Sequence, residues 1–190
     1  MTEGPVQNRR ERIASPPEGS LGWVGTYQLI KRLPYQGGPL EYVARQHGPL
    51  GFERICRAKL VPLPSDDGDR RNAEALAWEA MVVLRLDHPG IVRMYDFFKH
   101  NDTLVLVLEH FSGLSLAHLL DLLEKYKLAF DERLAWHVGH SLFMALAHAH
   151  GVAEPGGLRE PVVHSDVRPS NLLVSADGRV RLAGFGCARQ

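Results

Sequence analysis

The sequence predicts an α+β chain in two parts, sheet first and helices after, from three observations. Residues 26–61 alternate polar and apolar positions in short runs separated by turn residues, the period of half-buried strands. Residues 103–111, "TLVLVLEHF", form a near-continuous apolar run of strand length, which suits a central strand covered on both faces. Residues 115–126 and 131–150 are amphipathic at helical spacing, and a hairpin signal around "ADG" at 176–178 follows them. Strands, helix, strand, helices and hairpin, in that order, give a two-part architecture.

Each element follows from local sequence. Residues 1–22, opening "MTEGPVQNRRERIASPPEGS", are rich in Pro, Gly, Ser and charge and are expected to form a disordered tail. That stretch has no apolar core of the kind a signal peptide needs. From Trp23 the pattern turns to strands. "TYQLIKRL" (26–33) alternates at Tyr27, Leu29 and Leu33, "PYQGGP" (34–39) turns, and "LEYVARQ" (40–46) returns. "GPLGF" (48–52) is a second turn and "RICRAKLV" (54–61) a third strand. There Cys56, Ala58 and Leu60 share one face and Lys59 takes the other. The loop "VPLPSDDGD" (61–69) places Asp69 to cap a helix running to about Leu86. In the 131–150 helix, Leu134, Val138, Leu142, Ala145 and Ala149 make one apolar stripe. "GVAEPGGLREP" (151–161) is a loop, and "NLLVS" (171–175) and "RVRLA" (179–183) are the hairpin strands.

Composition narrows the function classes. The chain has 190 residues, 45% hydrophobic and 23% charged, an ordinary globular balance. Lys plus Arg (22) equals Asp plus Glu (22), so no electrostatic pull toward nucleic acid or an anionic membrane is expected. No apolar run approaches the roughly 20 residues of a membrane span. Cys56 and Cys187 make no disulfide framework and are expected as buried or free thiols in a reducing compartment. A soluble cytoplasmic chain is the expectation. Among ten histidines, His137, His140 and His148 share one helical quadrant. No HExxH pattern accompanies them, so packed or surface imidazoles are expected rather than metal ligands.

The chemistry concentrates at 162–189, where Asp166 and Asn171 lie five apart in a polar loop beside Pro169. "HSDVRPSNLLV" (164–174), the hairpin and "LAGFGCAR" (182–189) resemble the catalytic and metal-binding loops of the protein kinase family. The family pattern is His-Arg-Asp, an Asn five residues after the Asp, then Asp-Phe-Gly. Upstream, "RAKLV" (57–61) resembles the strand of the ATP-anchoring lysine. "WEAMVVLRLDHPGIVRMYDFF" (78–98) resembles the helix of its glutamate partner running on into "HPxIV", and "LVLVLEHFSG" (104–113) resembles the strand and hinge that hold adenine. The "GPLGF" turn is similar to that of myxobacterial-type kinases, within the bacterial eukaryotic-like Ser/Thr subgroup.

The resemblance spans about Trp23 to Arg189. It implies a protein kinase-like fold: an antiparallel-sheet N-lobe with hinge over 23–111, then the first part of a helical C-lobe over 112–190. It also implies roles. Lys59 would meet ATP phosphates and Glu79 would orient it through an ion pair. Leu108 would be the gate of the adenine pocket, with backbone groups of Glu109 and Phe111 as hydrogen-bond partners. Leu33 and Leu173 would complete the nucleotide pocket. Asp166 would accept or orient the substrate hydroxyl proton, Arg168 would stand near the transferred phosphate in place of the usual lysine, and Asn171 would offer an oxygen to Mg²⁺. A plainer reading stands beside each role. Lys59 is then a solvated strand lysine, Glu79 a helix-face carboxylate and Leu108 core, while Asp166 and Asn171 satisfy their own loop backbone.

Three departures oppose phosphotransfer. Gly184 stands where the family carries its metal-binding aspartate, and Mg²⁺ prefers hard anionic oxygen ligands. Ser165 replaces the arginine of His-Arg-Asp. In the phosphate-covering loop the glycine positions fall on Pro34, Gln36 and Pro39, and the adenine-roofing valine falls on Glu41. A one-residue slip aligns only Gly37. Prolines remove N–H donors and stiffen a loop that must fold over phosphate. Losing one preorganised electrostatic group costs about 10²–10³ in rate. The expectation is therefore a pseudokinase acting through binding of ATP or a protein partner, with Mg²⁺ disfavoured. The alternatives are a noncanonical ATP-dependent Ser/Thr kinase seen as part of a longer chain, and a decayed fragment. Only four residues follow Gly186, so an incomplete helical lobe with exposed apolar surface is expected.

Overall fold

The computed structural model describes residues 21–34, 38–63, 67–152 and 161–189. Residues 1–20 of the tail expected over 1–22, the turn positions Gln36 and Gly37, and most of the 151–161 loop lie outside the described residues, and the last residue of that expected tail, Gly22, belongs to a strand instead.

An antiparallel sheet of six strands comes first. Its strands are β1 (Gly22–Val24), β2 (Tyr27–Arg32), β3 (Leu40–His47), β4 (Glu53–Pro62), β5 (Met94–His100) and β6 (Thr103–Glu109), ordered β1-β2-β3-β4-β6-β5. The meander expected from 26–61 is present, and β1 adds a short strand beginning at Gly22. Helix α1 (Asp67–Leu84) connects β4 to the far edge of the sheet. It starts ahead of Asp69, which lies inside the helix rather than at its cap, and ends two residues before Leu86.

Period-2 alternation sorts the side chains as the sequence implied. On β4, Cys56 and Ala58 enter one core with Ala44, Tyr27, Val105 and Val107. Val61, on the opposite face, enters a second core with Leu76, Ala80, Val92, Leu106 and Leu108. Strand β6 therefore contributes alternate residues to both cores, which is why its sequence is apolar throughout. Burial pushes the Cys56 thiol up to about 11, so it stays protonated and inert. Cys187 is free and exposed.

Strand β5 was not foreseen. Its sequence, "MYDFFKH", lacks clean alternation because the register with β6 shifts between Met94 and Asp96. A bulge there puts an extra residue on one strand and erases the period on which sequence reading depends.

The second part is helical with a small sheet. Helix α2 (Leu116–Lys125) is capped by Ser115, whose hydroxyl accepts the His118 N–H, and α3 (Glu132–His150) by Asp131, which accepts from Arg133 and Leu134. Strands β7 (Leu114–Ser115), β8 (Leu172–Val174) and β9 (Val180–Leu182) form a three-stranded antiparallel sheet, with β8 and β9 the expected hairpin. Gly113, before β7, has no room for a side chain, because a Cβ there would collide with the Val174 carbonyl oxygen. The α3 stripe packs as expected: Val138, Ala145 and Ala149 are buried, with Leu134 and Leu142 against them. Val82 and Val83 of α1 join the same core, along with Leu172, Leu182 and Phe185, so the two parts share a continuous interior.

On α3's outer side Trp136 and Phe143 are exposed. His137 bonds the Gly178 carbonyl and His148 stacks on His88. No cluster of three metal-ligating side chains occurs among the described residues. No helix among them is long and apolar enough to cross a membrane.

Candidate active site

Between the two parts lies a cleft of about 320 Å³. Its lining includes Leu33, Lys59, Glu79, Leu108, Glu109, Phe111, Asn171 and Leu173, together with Gly184. Eight of the ten residues singled out in the sequence are thus brought to one place. Asp166 and Arg168 do not line the cleft and connect to it through Asn171.

The upper end is built by strand register and one helix face. Lys59 projects from β4 on the face opposite Ala58, and α1 lies across that face. Its Nζ donates to both carboxylate oxygens of Glu79, at 2.7 and 2.8 Å. Glu79 is itself buried. Glu41, the direct cross-strand partner of Lys59 in the β3–β4 register, also stands 4.0 Å from Nζ. Arg57, two residues before Lys59 and hence on the same strand face, donates through Nε to Glu41 Oε2 at 2.6 Å and ion-pairs with it through Nη2. Sequence reasoning missed Arg57, although the period of two that placed Lys59 in the cleft places Arg57 there too.

At the hinge, the Glu109 N–H donates to the Arg93 carbonyl at 2.8 Å, and the Glu109 carboxylate meets Arg181 at 3.6 Å. His110 also lines the cleft; burial, then the neighbouring Arg57 charge, holds its pKa below the ordinary histidine value.

The lower end is a closed network. His164 is almost wholly buried; its Nε2 donates to the Ala183 carbonyl (3.0 Å) while its Nδ1 accepts the Asp166 N–H (3.2 Å). Those two bonds define the neutral tautomer, and burial keeps its pKa below the ordinary value. Its ring meets Phe185 edge-on, with centroids 4.5 Å apart. Phe185 is fully buried and lines the cleft floor near α1, a role that no local sequence period marks. Ser165 adopts φ 61°, an uncommon left-handed conformation for a side-chain-bearing residue.

Asn171 is anchored through its amide nitrogen. Its Nδ2 donates to the Asp166 carbonyl (2.8 Å) and to Asp166 Oδ2 (2.9 Å). Arg168 Nε lies 3.3 Å from the same Oδ2. Gly184 is left-handed (φ 82°), and a Cβ placed there would sit 2.8 Å from Asn171 Oδ1. The donors facing a divalent cation are therefore one amide oxygen and a carboxylate already shared by two N–H groups. That set does not fit Mg²⁺, which seeks several hard, charged oxygens in near-octahedral array.

A sheet lobe with one helix, a helical second part, and a cleft between them carrying a lysine–glutamate pair define a two-lobed kinase-like protein. The family model of the protein kinase domain matches residues 53–190, well over half of the sequence. The chain belongs to the protein kinase family.

Relatives agree. The chain is 28% identical over 197 residues to the serine/threonine-protein kinase Nek10 of Homo sapiens, covering 100% of this chain and 16% of that protein. It is 34% identical over 148 residues to the mitogen-activated protein kinase kinase kinase YODA of Arabidopsis thaliana, 75% of this chain and 15% of that one. It is 30% identical over 159 residues to the calmodulin-binding receptor-like cytoplasmic kinase 1 of the same plant, 76% and 31%. The chain thus spans less than a third of the length of each of these relatives.

Proposed function

We propose that this chain is a pseudokinase module of the protein kinase family, cytoplasmic, with absent or weak phosphotransfer, acting through binding or regulation of a protein partner. One observation carries the reading. Position 184 offers no side chain, and the nearest amide, Asn171, turns its NH₂ onto Asp166 and its oxygen toward Gly184. Of the two positions that would hold a metal-bound triphosphate for transfer, one has no side chain and the other offers a single neutral amide oxygen. Lys59 and Glu79, with Leu33, Leu108, Glu109, Phe111 and Leu173, would form the nucleotide site, so ATP binding without productive Mg²⁺ is the state this reading describes.

A second reading is a noncanonical ATP-dependent Ser/Thr kinase within a longer chain. It is favoured by the formed Lys59–Glu79 pair, the element that such enzymes need in place.

Thermal denaturation with ATP, with and without Mg²⁺, together with a phosphotransfer assay, separates the two. The pseudokinase reading expects Mg²⁺ to add no stabilisation to that from ATP, and transfer at least about 10²-fold below the 1–100 per second usual for kinases. Mg²⁺-dependent stabilisation that disappears in Lys59→Ala, with transfer in the usual range, establishes the enzyme instead. Gly184→Asp is the direct attempt at repair, and it requires Asn171 to swing aside because its amide fills the space at 184.

A further inference from the structure

The cleft roof holds an arrangement that neither the family assignment nor the function proposed above explains. Four charged side chains line it: Arg57 and Lys59 from β4, Glu41 from β3 and Glu79 from α1. Two cations meet two carboxylates, so their sum is zero. Glu79 is fully engaged by Lys59. Glu41 is divided, bonded to Arg57 at 2.6 Å and 4.0 Å from Lys59.

An ordinary cross-strand pair would join Glu41 to Lys59, its direct neighbour across the β3–β4 ladder. Instead the carboxylate leans along the diagonal to Arg57, which lies opposite Val43, and so reaches both cations. Glu41 and Arg57 side chains are about one-fifth and one-third exposed, and both face the cleft. Solvent screens such a pair less than one on the outer surface. Hence an anion already sits where the cleft presents its positive charge.

We propose that Glu41 is the cleft's built-in anion and sets its ligand preference: by satisfying Arg57 and offsetting Lys59, it disfavours nucleoside polyphosphates. The inference rests on reading the cleft as a nucleotide site and concerns which charge state of ligand that site accepts. Neutralising Glu41 leaves two cations against one carboxylate, a net gain of one positive charge facing the ligand.

The test is calorimetric titration of the full 190-residue chain in EDTA, so that no metal contributes, with three probes: ATP, inorganic tripolyphosphate and adenosine. Glu41→Gln keeps the size and removes the charge. It is expected to bind ATP and tripolyphosphate about tenfold tighter or more than wild type, the scale of one unit charge several ångströms away at a protein-surface dielectric. Adenosine, lacking charge, is expected to bind both chains equally. Arg57→Met removes one cation and leaves Glu41 facing Lys59 alone, so the cleft roof loses one positive charge and both anionic probes are expected to bind more weakly; it carries the test alone if Glu41→Gln does not fold.

Wild type binding ATP with no gain in Glu41→Gln overturns this inference and leaves the nucleotide reading standing. An equal gain for adenosine also overturns it, because the effect is then steric. Silence of every chain toward every probe overturns the nucleotide reading along with it.

Discussion

Two ion pairs, one inside the cleft and one in the loop beside its lower end, differ in what holds them. Lys59 and Glu79 meet at 2.7 Å with side chains 12% and 6% exposed. Arg168 and Asp166 meet at 3.3 Å with side chains 61% and 28% exposed. The upper pair fastens α1 to the sheet inside the protein; the lower one lies in a wet loop. A charge held by burial is one the fold needs whether or not the protein transfers phosphate. The Lys59–Glu79 pair is therefore weaker testimony to activity than it looks. Gly184 teaches the converse. Glycine takes a left-handed backbone freely, so losing a carboxylate there costs the fold little while removing a metal ligand.

The sharpest way to break this contrast is Glu79→Ala. It leaves the Lys59 ammonium largely buried, with Glu41 at 4.0 Å as its remaining carboxylate. Removing one partner of a buried pair costs about 3 kcal/mol or more, because the other charge stays desolvated and uncompensated. Urea denaturation is expected to show that loss. The double replacement Lys59→Met with Glu79→Leu is expected to recover most of it, since apolar residues of similar volume commonly match a buried pair. A loss for Glu79→Ala below about 0.5 kcal/mol, the level of an exposed pair, would abolish the distinction.

A smaller effect is expected from pH, through three buried or half-buried histidines of which His164 belongs to the lower end. His164, His110 and His88 all have pKa values held below the ordinary histidine value, in each case first by burial. The folded state then binds fewer protons than the unfolded chain, so stability rises with pH. It is fully present above the unfolded value near 6.5 and is lost as pH falls from there through the depressed folded values. For His164 protonation also destroys a named contact, because Nδ1 can no longer accept the Asp166 N–H. Melting temperature is expected to fall on acidification below pH 6.5, with His164→Gln showing a shallower fall. A slope unchanged by that substitution would remove His164 from the account.

Much of this was legible beforehand, and the exceptions have physical causes. Alternation placed Lys59 opposite Ala58, and helical spacing picked the α3 stripe, because both elements are regular and half-buried. β5 was hidden by its bulge at Met94–Asp96. The helix expected from Asp69 begins at Asp67, in a polar stretch with several residues able to cap. In the cleft, Glu41 was recognised as a replacement for an apolar roof, but its bond to Arg57 was not. A diagonal cross-strand contact depends on which way two long side chains lean, which spacing alone does not specify. Likewise the expectation that Asn171 offers an oxygen to a metal does not specify that its NH₂ donates to Asp166 while the oxygen faces Gly184.

The smallest expected effect tests the other half of the opening contrast. Arg168→Ala removes the partner of Asp166, yet Asp166 keeps the Asn171 amide at 2.9 Å and remains partly solvated. The guanidinium is mostly in water, so its attraction is screened and holding the long side chain costs rotamer entropy. Stability in urea is expected to change by about 0.5 kcal/mol or less. The substitution also frees an acceptor on Oδ2, so a crystal structure of the variant should keep Asn171 bonded to Asp166. If Arg168→Ala instead costs as much as Glu79→Ala, the lower loop is fastened by charge after all. Gly184 would then sit in a site under electrostatic tension, and its missing carboxylate would be a loss for the fold as well as for the metal.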